Sequence, residues 1–407
     1  MHSGFNYQWL CSACQRTYQP GQPTVEWEQK CQFCSSRLDL ETPHFPRWDS
    51  CVTDLPGLWR YLRLVPTSET SAKLLLSFDT PEFAVPIASK SLAEHLKVNS
   101  VFLLPCTTGP SGTFKDSEAA VVIAKCLDWG WNNKILCWHS TGNTARAYRE
   151  YALRAGITNS SFFPLDCLYK WKGAATDRRG SLRAYDGVFQ ELSSVAKKHA
   201  ETIGAQYLAP LVWKVEGKAC IAYVIAEHVP DATCIVQTIA GGYGALGMAL
   251  GFTRLNKTGL LKNTGIRFSL FQIEGADTIS RLLPLGRDIT QTDLVLPKNP
   301  FEPTLQSTNP LSTFRLIRSL VEDTKSTVSS VSPAEVEAEA GAFLSACREL
   351  GVALSYEYER SPFISWAGLV RAATVGHLRP SENIVIVVTG CPPRYGFIPE
   401  IEDVVRP

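Results

Sequence analysis

The stretch TGPSGTFKDSEAA, residues 108–120, places a single lysine between a glycine-rich turn and the start of a predicted helix. A positive charge is mildly unfavourable there, because the helix dipole is positive at its N-terminus. The apolar run VFLLP precedes the turn and the run SEAAVVIAKCLDWG follows it, which indicates the order strand, turn, helix. Lys115 is therefore predicted beyond the carboxyl end of a strand, where parallel sheets bind their ligands.

The same alternation continues along the chain. SKSLAEHL and NTARAYREYALRAG have helical patterns, and KILCWHS between them resembles a strand. Later runs, CIVQTIA, RFSLFQIE and NIVIVVTG, are apolar on both faces, as buried parallel strands are. The Ser-rich run of residues 326–332 is predicted as a loop that ends where Ser332 caps a helix beginning at Pro333. The sequence thus predicts an α/β fold with mostly parallel, helix-covered sheets.

Two more glycine-bearing turns follow predicted strands. GGYGALG, residues 241–247, can bring backbone N–H groups close to a phosphate at a helix start. STGNT, residues 140–144, offers hydroxyls and an amide to a carboxylate or a phenolic oxygen. Each turn also has an interpretation without a ligand, as a tight connection or as an N-cap made by Asn143 or Thr141. Together with a desolvated lysine, they suit pyridoxal phosphate, which Lys115 would hold as a Schiff base.

Four of the thirteen cysteines form the pattern C-x2-C-x16-C-x2-C. Cys11, Cys14, Cys31 and Cys34 are spaced like two thiolate pairs that close on one tetrahedral zinc ion. We therefore predict a small zinc ribbon over residues 1–50, with a structural Zn²⁺ that stabilises its fold. The other nine cysteines are scattered, as expected of small core side chains.

Charge and hydropathy exclude several classes of partner. The 407 residues include 40 Lys and Arg against 39 Asp and Glu, so the chain has no bulk field for nucleic acid or an anionic membrane. Residues 1–49 contain few Lys or Arg, which argues against a nucleic-acid-binding ribbon. No apolar run approaches a membrane span, and the first ten residues do not resemble a signal peptide. We expect a cytoplasmic protein.

Several of these segments resemble the threonine synthase family, within the second fold type of pyridoxal phosphate enzymes. SGTFKDSEAA is similar to its cofactor-lysine motif, TPEFAVPIASKSLAEHL to the segment before it, and VVTG to its closing Thr-Gly turn. STGNTARAYREYALRAG resembles its Ser-Gly-Asn-Thr loop and helix, and a zinc ribbon followed by GLWRY also occurs in members of this family. The resemblance implies two open sheets: a large domain of residues 51–95 and 205–407, and a small domain of residues 96–204. It also implies a homodimer.

The resemblance assigns roles to individual residues. Lys115 would hold the cofactor and move protons at the substrate, Asn143 would bind the ring hydroxyl, and Thr389 would face the ring nitrogen. The cofactor phosphate would be bound by Gly241, Gly242, Tyr243, Gly244, Ala245 and Gly247. The substrate carboxylate would be received by Ser140, Thr141 and Thr144.

Departures from the family pattern concern the substrate. Threonine synthases typically have an arginine after Phe-Lys-Asp, whereas Ser117 and Glu118 follow here, which is closer to cysteate synthase. The resemblance implies elimination and replacement at the β- or γ-carbon of an O-phosphorylated amino acid, such as phosphoserine or phosphohomoserine, by a small nucleophile in amino-acid biosynthesis.

Such a substrate needs a second anion site. Lys172, Arg178 and Arg179, in the basic stretch YKWKGAATDRRGSLR, are candidates, although a solvated loop explains them equally well. Two other functions stay open. One is a serine or threonine deaminase-type lyase of the same fold, and the other is a non-catalytic zinc-ribbon binding protein.

Overall fold

A computed structural model describes residues 7–42, 47–76, 85–209, 211–261, 265–294, 301–305, 309–393 and 396–406. Residues 80–84, which begin one of the family-like segments, lie outside this part. The strands are β1 (Gln8–Cys11), β2 (Thr17–Tyr18), β3 (Leu38–Glu41), β4 (Ile87–Ala88), β5 (Ser100–Pro105), β6 (Leu136–His139), β7 (Asn159–Pro164), β8 (Gly180–Tyr185), β9 (Gln206–Tyr207), β10 (Cys234–Thr238), β11 (Arg267–Ile273), β12 (Thr327–Val331), β13 (Asn383–Val388) and β14 (Asp403–Val405).

The helices connect these strands. They are α1 (Pro23–Glu28), α2 (Trp48–Cys51), α3 (Glu69–Leu76), α4 (Lys90–Leu96), α5 (Asp116–Asp128), α6 (Asn143–Arg154), α7 (Phe189–Thr202), α8 (Leu211–His228), α9 (Tyr243–Thr258), α10 (Thr278–Leu282), α11 (Phe314–Thr324), α12 (Pro333–Glu349) and α13 (Ser361–Thr374). Short 3₁₀ turns occur at Gly57–Leu64, Trp131–Asn133, Leu165–Trp171, Leu283–Leu285, Gln291–Asp293 and Pro303–Leu305.

Two mostly parallel sheets form the body, as predicted. The larger sheet has the order β12-β11-β10-β13-β5-β4, and its pairs are parallel except β4 with β5. Every residue of β13 is buried, because helices cover both faces of the sheet. The smaller sheet, β14-β8-β7-β6-β9, is parallel throughout its described strands.

The strands differ from the expected domain limits at three places. β5 lies after residue 96 but is hydrogen-bonded to β13 in the larger sheet. β9 and β14 lie after residue 205 but pair with β6 and β8 in the smaller sheet. A strand belongs to the sheet with which its backbone N–H and C=O groups form hydrogen bonds. Its position along the chain therefore does not decide to which sheet it belongs.

The Ser-rich segment also differs from expectation. Residues 327–331 form β12, a parallel edge strand beside β11, rather than a loop. Ser332 does cap α12, since its hydroxyl accepts from the Glu335 amide and Pro333 occupies the first helical turn.

Helix α5 lies in the centre of the molecule and packs against α6 and α8. Its residues 116–126 are all buried, including Lys125. The Lys125 ammonium lies 3.1 Å from Glu26 Oε2 and donates to the Tyr7 hydroxyl at 3.0 Å. Glu26 in turn accepts from the Trp129 indole at 2.6 Å. The N-terminal segment is therefore anchored to the same helix that follows Lys115.

Candidate functional site

Lys115 directly precedes α5, at the carboxyl end of β5. Its loop is held against the turn after β13, because the Phe114 amide donates to the Thr389 carbonyl at 2.9 Å. The Lys115 Nζ lies 3.8 Å from Glu118 Oε2 and 4.5 Å from the centre of the Phe114 ring. Burial lowers the pKa of Lys115, and the nearby Glu118 carboxylate opposes that shift. This environment makes a neutral amine accessible.

The turn after β6 brings a hydroxyl and an amide to the same place. The Ser140 hydroxyl accepts from the amides of Gly142 and Ala145 at 3.0 and 2.8 Å, so Ser140 satisfies the first turn of α6. Ser140, and not Asn143 or Thr141, therefore accepts these hydrogen bonds at the start of α6. Gly142 adopts a φ of +130° that a side chain would strain.

Asn143 is held by a buried charge network. Its Nδ2 donates to Glu359 Oε2 at 2.9 Å, and Glu359 is ion-paired with Lys170 at 2.7 Å. Burial raises the pKa of Glu359, but the Lys170 ammonium outweighs it and the net pKa lies below the usual value. The Asn143 amide is thus fixed in one orientation, and its Oδ1 atom is buried without a hydrogen bond among the described residues.

The glycine-rich turn after β10 begins α9. Gly242 has a φ of +82°, and a Cβ there would lie 2.6 Å from Ile317. A Cβ at Gly244 would meet the Gln237 side chain at 2.5 Å, and one at Gly247 would meet Lys218 at the same distance. These glycines are therefore required by close packing, while the free N–H groups of the first helical turn remain available to an anion.

These turns meet around one cavity of about 240 Å³. The sequence-predicted residues that line it are Lys115, Ser140, Thr141, Asn143, Thr144, Gly241, Tyr243 and Thr389. Gly242, Gly244, Ala245 and Gly247 lie in the adjoining turn of α9. Thr389 Oγ1 is buried and, like Asn143 Oδ1, has no hydrogen-bond partner in the described chain. Buried polar atoms are usually paired, so both atoms are available to a ligand bound in this cavity.

The three basic candidates are not in this cavity. Lys172, Arg178 and Arg179 are exposed. Arg179 is ion-paired with Asp177 at 2.6 Å, and Arg178 lines a separate surface cavity. Lys170, just before these residues, is instead buried in an ion pair with Glu359, which lines the cavity. The structure thus argues against their assignment to the second anion site.

The cavity contains charged residues that sequence reasoning missed. Lys214 of α8 lines it and makes no ion pair within the described residues. Glu118 and Glu359 also line it. Lys214 lies in a long apolar helix, so no local pattern marked it as a site residue.

His139 has a structural environment. It lines the cavity, but its Nδ1 is 2.6 Å from the Tyr207 hydroxyl. Burial lowers the pKa of His139 to about 3, so the ring is neutral near pH 7.

The four predicted metal ligands converge. The sulfur atoms of Cys11, Cys14, Cys31 and Cys34 all lie within 4.8 Å of one another, beside a three-stranded sheet of β2, β1 and β3. The closest pairs are separated by 3.4 and 3.6 Å. Four thiolates about 2.3 Å from a tetrahedral zinc ion would be roughly 3.8 Å apart, so the cluster fits this metal.

The larger site also fits a cofactor. A lysine that can be neutral, two unpaired polar atoms and a helix N-terminus suit the aldehyde, the ring and the phosphate of pyridoxal phosphate. A family model described as pyridoxal-phosphate dependent enzyme matches residues 79–390. The chain belongs to this family and is a pyridoxal phosphate-dependent enzyme.

Threonine synthases are among the proteins with similar sequences. The threonine synthase of Methanosarcina acetivorans is 25% identical, over 88% of this chain and 83% of the relative. The threonine synthase of Synechocystis is 28% identical, over 55% of this chain and 58% of the relative. Within the pyridoxal phosphate enzymes, the chain is therefore similar to threonine synthases.

Solved structures share the fold. Maize serine racemase has a TM-score of 0.61 at 21% identity, with 82% of this chain and 95% of that chain covered. Threonine deaminase isoform 2 from Solanum lycopersicum has a TM-score of 0.59 at 16% identity, with 79% and 88% covered. These likenesses confirm the second fold type.

None of the described helices combines the length and apolar character needed to span a membrane.

Proposed function

We propose that the protein replaces the phosphate of an O-phosphorylated amino acid, such as phosphoserine or phosphohomoserine, with a small nucleophile. The observation that carries this proposal is Lys214. It faces the same cavity as Lys115 and has no carboxylate partner in the described chain. Lys214 senses the Glu118 charge but forms no direct ion pair among the described residues, and a cation so placed beside the reacting lysine suits a substrate with a second anionic group.

The cofactor would be held by the residues that surround the unpaired polar atoms. Lys115 would bind its aldehyde carbon, the Asn143 amide its ring hydroxyl, and Thr389 its ring nitrogen. Its phosphate would lie at the first turn of α9, at Gly241, Gly242, Tyr243, Gly244, Ala245 and Gly247. When bound, the cofactor supplies an electron sink for the bonds at the substrate α-carbon.

The chain's own residues would orient the substrate and move its protons. Ser140, Thr141 and Thr144, at the N-terminus of α6, would receive the carboxylate. Thr141 now donates to the Thr304 carbonyl at 3.0 Å, so this bond must open when the carboxylate arrives. Lys115 would take the α-proton as a neutral amine, and Lys214 would stabilise the departing phosphate.

Phosphate release from candidate substrates tests this proposal. The yellow holoprotein is incubated with phosphoserine or phosphohomoserine, without and with sulfite or a thiol, and phosphate, amino acid, keto acid and ammonia are measured. Phosphate release with incorporation of the nucleophile, or with threonine formation from water, is expected. Equal amounts of keto acid and ammonia under all conditions would instead establish the deaminase-type lyase.

Variants distinguish the site from the rest of the surface. Lys115→Ala should abolish phosphate release, while Arg178→Met should retain it. A purified protein that stays colourless after pyridoxal phosphate is added would contradict the proposed cofactor role of Lys115.

The nucleophile distinguishes the two synthase activities. Sulfite incorporation from phosphoserine would support the cysteate-synthase-like reaction that Ser117 and Glu118 suggest. Threonine formed from phosphohomoserine would support the threonine-synthase-like reaction.

We also propose that Cys11, Cys14, Cys31 and Cys34 bind a structural zinc ion in an N-terminal ribbon. Their converging sulfur atoms support this role. One zinc ion per chain is expected by elemental analysis, and the variant Cys31→Ser should lose it.

The remaining proposals concern location and domains. The protein would be cytoplasmic, and the thirteen cysteines, none of which forms a disulfide in the described residues, are compatible with a reducing compartment. The two sheets support a division into a large and a small domain, with the three strand exchanges described above.

A further inference from the structure

A buried ion pair lies behind Lys115. Glu118 is one helical turn after Lys115 in α5, and Lys218 approaches it from α8. The Lys218 Nζ is 2.6 Å from Glu118 Oε2, and the same oxygen is 3.8 Å from the Lys115 Nζ. Lys218 is fully buried and Glu118 is 1% exposed. One carboxylate oxygen therefore faces the amino groups of two lysines.

Such an ion pair is costly to bury, and its carboxylate is not fully hydrogen-bonded. The second oxygen, Glu118 Oε1, is buried without a hydrogen bond among the described residues. The Lys218 Nζ lies 4.0 Å from the centre of the Phe114 ring, next to the reacting lysine. Replacing a buried ion pair by apolar residues often stabilises a protein, so stability does not explain why the pair is present.

The charges in this cluster depend on one another. Burial raises the pKa of Glu118, but Lys218 and Lys115 outweigh it and bring the pKa to about 2. Burial lowers the pKa of Lys218 to about 7, although Glu118 opposes the shift. Glu118 is therefore a fixed negative charge beside two lysines that burial makes easy to deprotonate.

We propose that Glu118 is a positioning residue that stabilises the ammonium form of Lys115, and that Lys218 keeps Glu118 charged and in place. In the proposed reaction, Lys115 begins as a neutral amine, takes one proton from the substrate α-carbon and becomes an ammonium. The same proton is later returned to a substrate carbon, and Lys115 is neutral again. A carboxylate 3.8 Å away stabilises Lys115 during this interval and itself gains no proton.

Other charged and titratable groups face this cluster. Lys214 of α8 lowers the pKa of both Lys115 and Lys218, and Glu359 raises that of Lys115. Tyr148 of α6 and Tyr243 of α9 also feel the Glu118 charge, but their pKa values lie above the usual range, so both are neutral near pH 7. The variants of Glu118 and Lys218 must therefore leave Lys214, Glu359, Tyr148 and Tyr243 unchanged.

The rate of cofactor attachment measures the charge of Lys115 without any substrate. The full-length protein is freed of cofactor and mixed with saturating pyridoxal phosphate at a series of pH values, and the yellow absorbance is followed. The rate rises with the neutral fraction of Lys115. Glu118→Gln should move the midpoint of this rise to lower pH by about 1 to 3 units, because an opposite charge is lost. Each unit makes attachment about tenfold faster below the midpoint.

Lys218→Met should also move the midpoint to lower pH, by less than Glu118→Gln, because Glu118 loses the cation that keeps it charged. A purely structural pair would instead slow attachment in both variants without moving the midpoint. The matched control is Glu216→Gln, which breaks the buried Glu216–Arg254 pair of α8 and α9, 2.6 Å long, and should leave the midpoint unchanged.

The inference rests on the proposed role of Lys115, and the two fail differently. A wild-type protein that never becomes yellow would overturn the role of Lys115. A yellow protein whose midpoint is the same in Glu118→Gln as in the wild type would overturn only the role of Glu118.

Discussion

Replacing Lys125 by methionine should destabilise the protein strongly, because this lysine neutralises a buried carboxylate. The Lys125 side chain is 5% exposed and that of its partner Glu26 is fully buried, with 3.1 Å between the charged atoms. Removal of one member of a buried pair costs about 3 to 5 kcal/mol. Glu26 keeps hydrogen bonds from the Tyr7 hydroxyl, the Trp129 indole and the Gly21 amide, so we expect the lower end, about 3 kcal/mol.

Urea unfolding followed by tryptophan fluorescence measures this effect. Trp129 lies 5.9 Å from Trp213 between ring centres, beside the ion pair, and is one of ten tryptophans whose combined emission follows the unfolding of the whole chain. The control Lys73→Met breaks a surface pair of the same kind with Glu69, 2.6 Å long, and should leave the unfolding midpoint unchanged.

A double variant separates the charge from the packing. In Glu26→Gln with Lys125→Met, the buried Glu26 charge is gone and Asp128, 3.6 Å from the Lys125 ammonium, keeps its hydrogen bonds from Ser68 and Ser71, so much of the lost stability should return. If Lys125→Met unfolds at the same urea concentration as Lys73→Met, the reasoning about the buried pair is refuted.

Three further predictions concern the cofactor loop, the substrate and the metal. Burial raises the pKa of Asp116 from 3.8 to about 7, so the folded protein binds this proton more tightly than the unfolded chain does. The free energy of unfolding should therefore fall by about 4 kcal/mol as the pH rises from 4 to 7. Asp116→Asn should remove that fall, and a variant with the wild-type pH dependence would contradict it. Lys214→Met should raise the KM for a phosphorylated substrate about tenfold or more, as measured by phosphate release. If the Lys214→Met and Arg178→Met variants have equal KM values, Lys214 does not belong to the anion site. Cys31→Ser should lose zinc and unfold at a lower temperature, whereas Cys51→Ser should retain its zinc by elemental analysis, since Cys51 is buried outside the four-sulfur cluster.

Much of the fold could be predicted because its signals are local. The apolar run at β13 and the turn before α6 each specify their structure within a few residues. The polar edge strand β12 was missed, since its Thr and Ser side chains resemble a loop and its pairing with β11 is distant in sequence.

The candidate site shows the same division. Lys115 and Asn143 were found because each occupies a strand-to-helix turn with its own motif. Lys214 and the partnership of Lys218 with Glu118 were not found, because they depend on how α8 packs against α5. The basic loop around Arg178 attracted attention through composition, although its side chains face solvent.

The anchoring of the N-terminal segment on α5 bears on how the protein can be shortened. Trp9 is fully buried, 5.5 Å from Trp213 of α8, and therefore belongs to the main core. A chain that began after residue 50 would expose the aromatic face around Trp213 and leave Lys125 without Glu26. Such a truncated protein should aggregate on expression. The N-terminal segment is thus an integral part of the folding unit, unlike a detachable module that could be exchanged between enzymes.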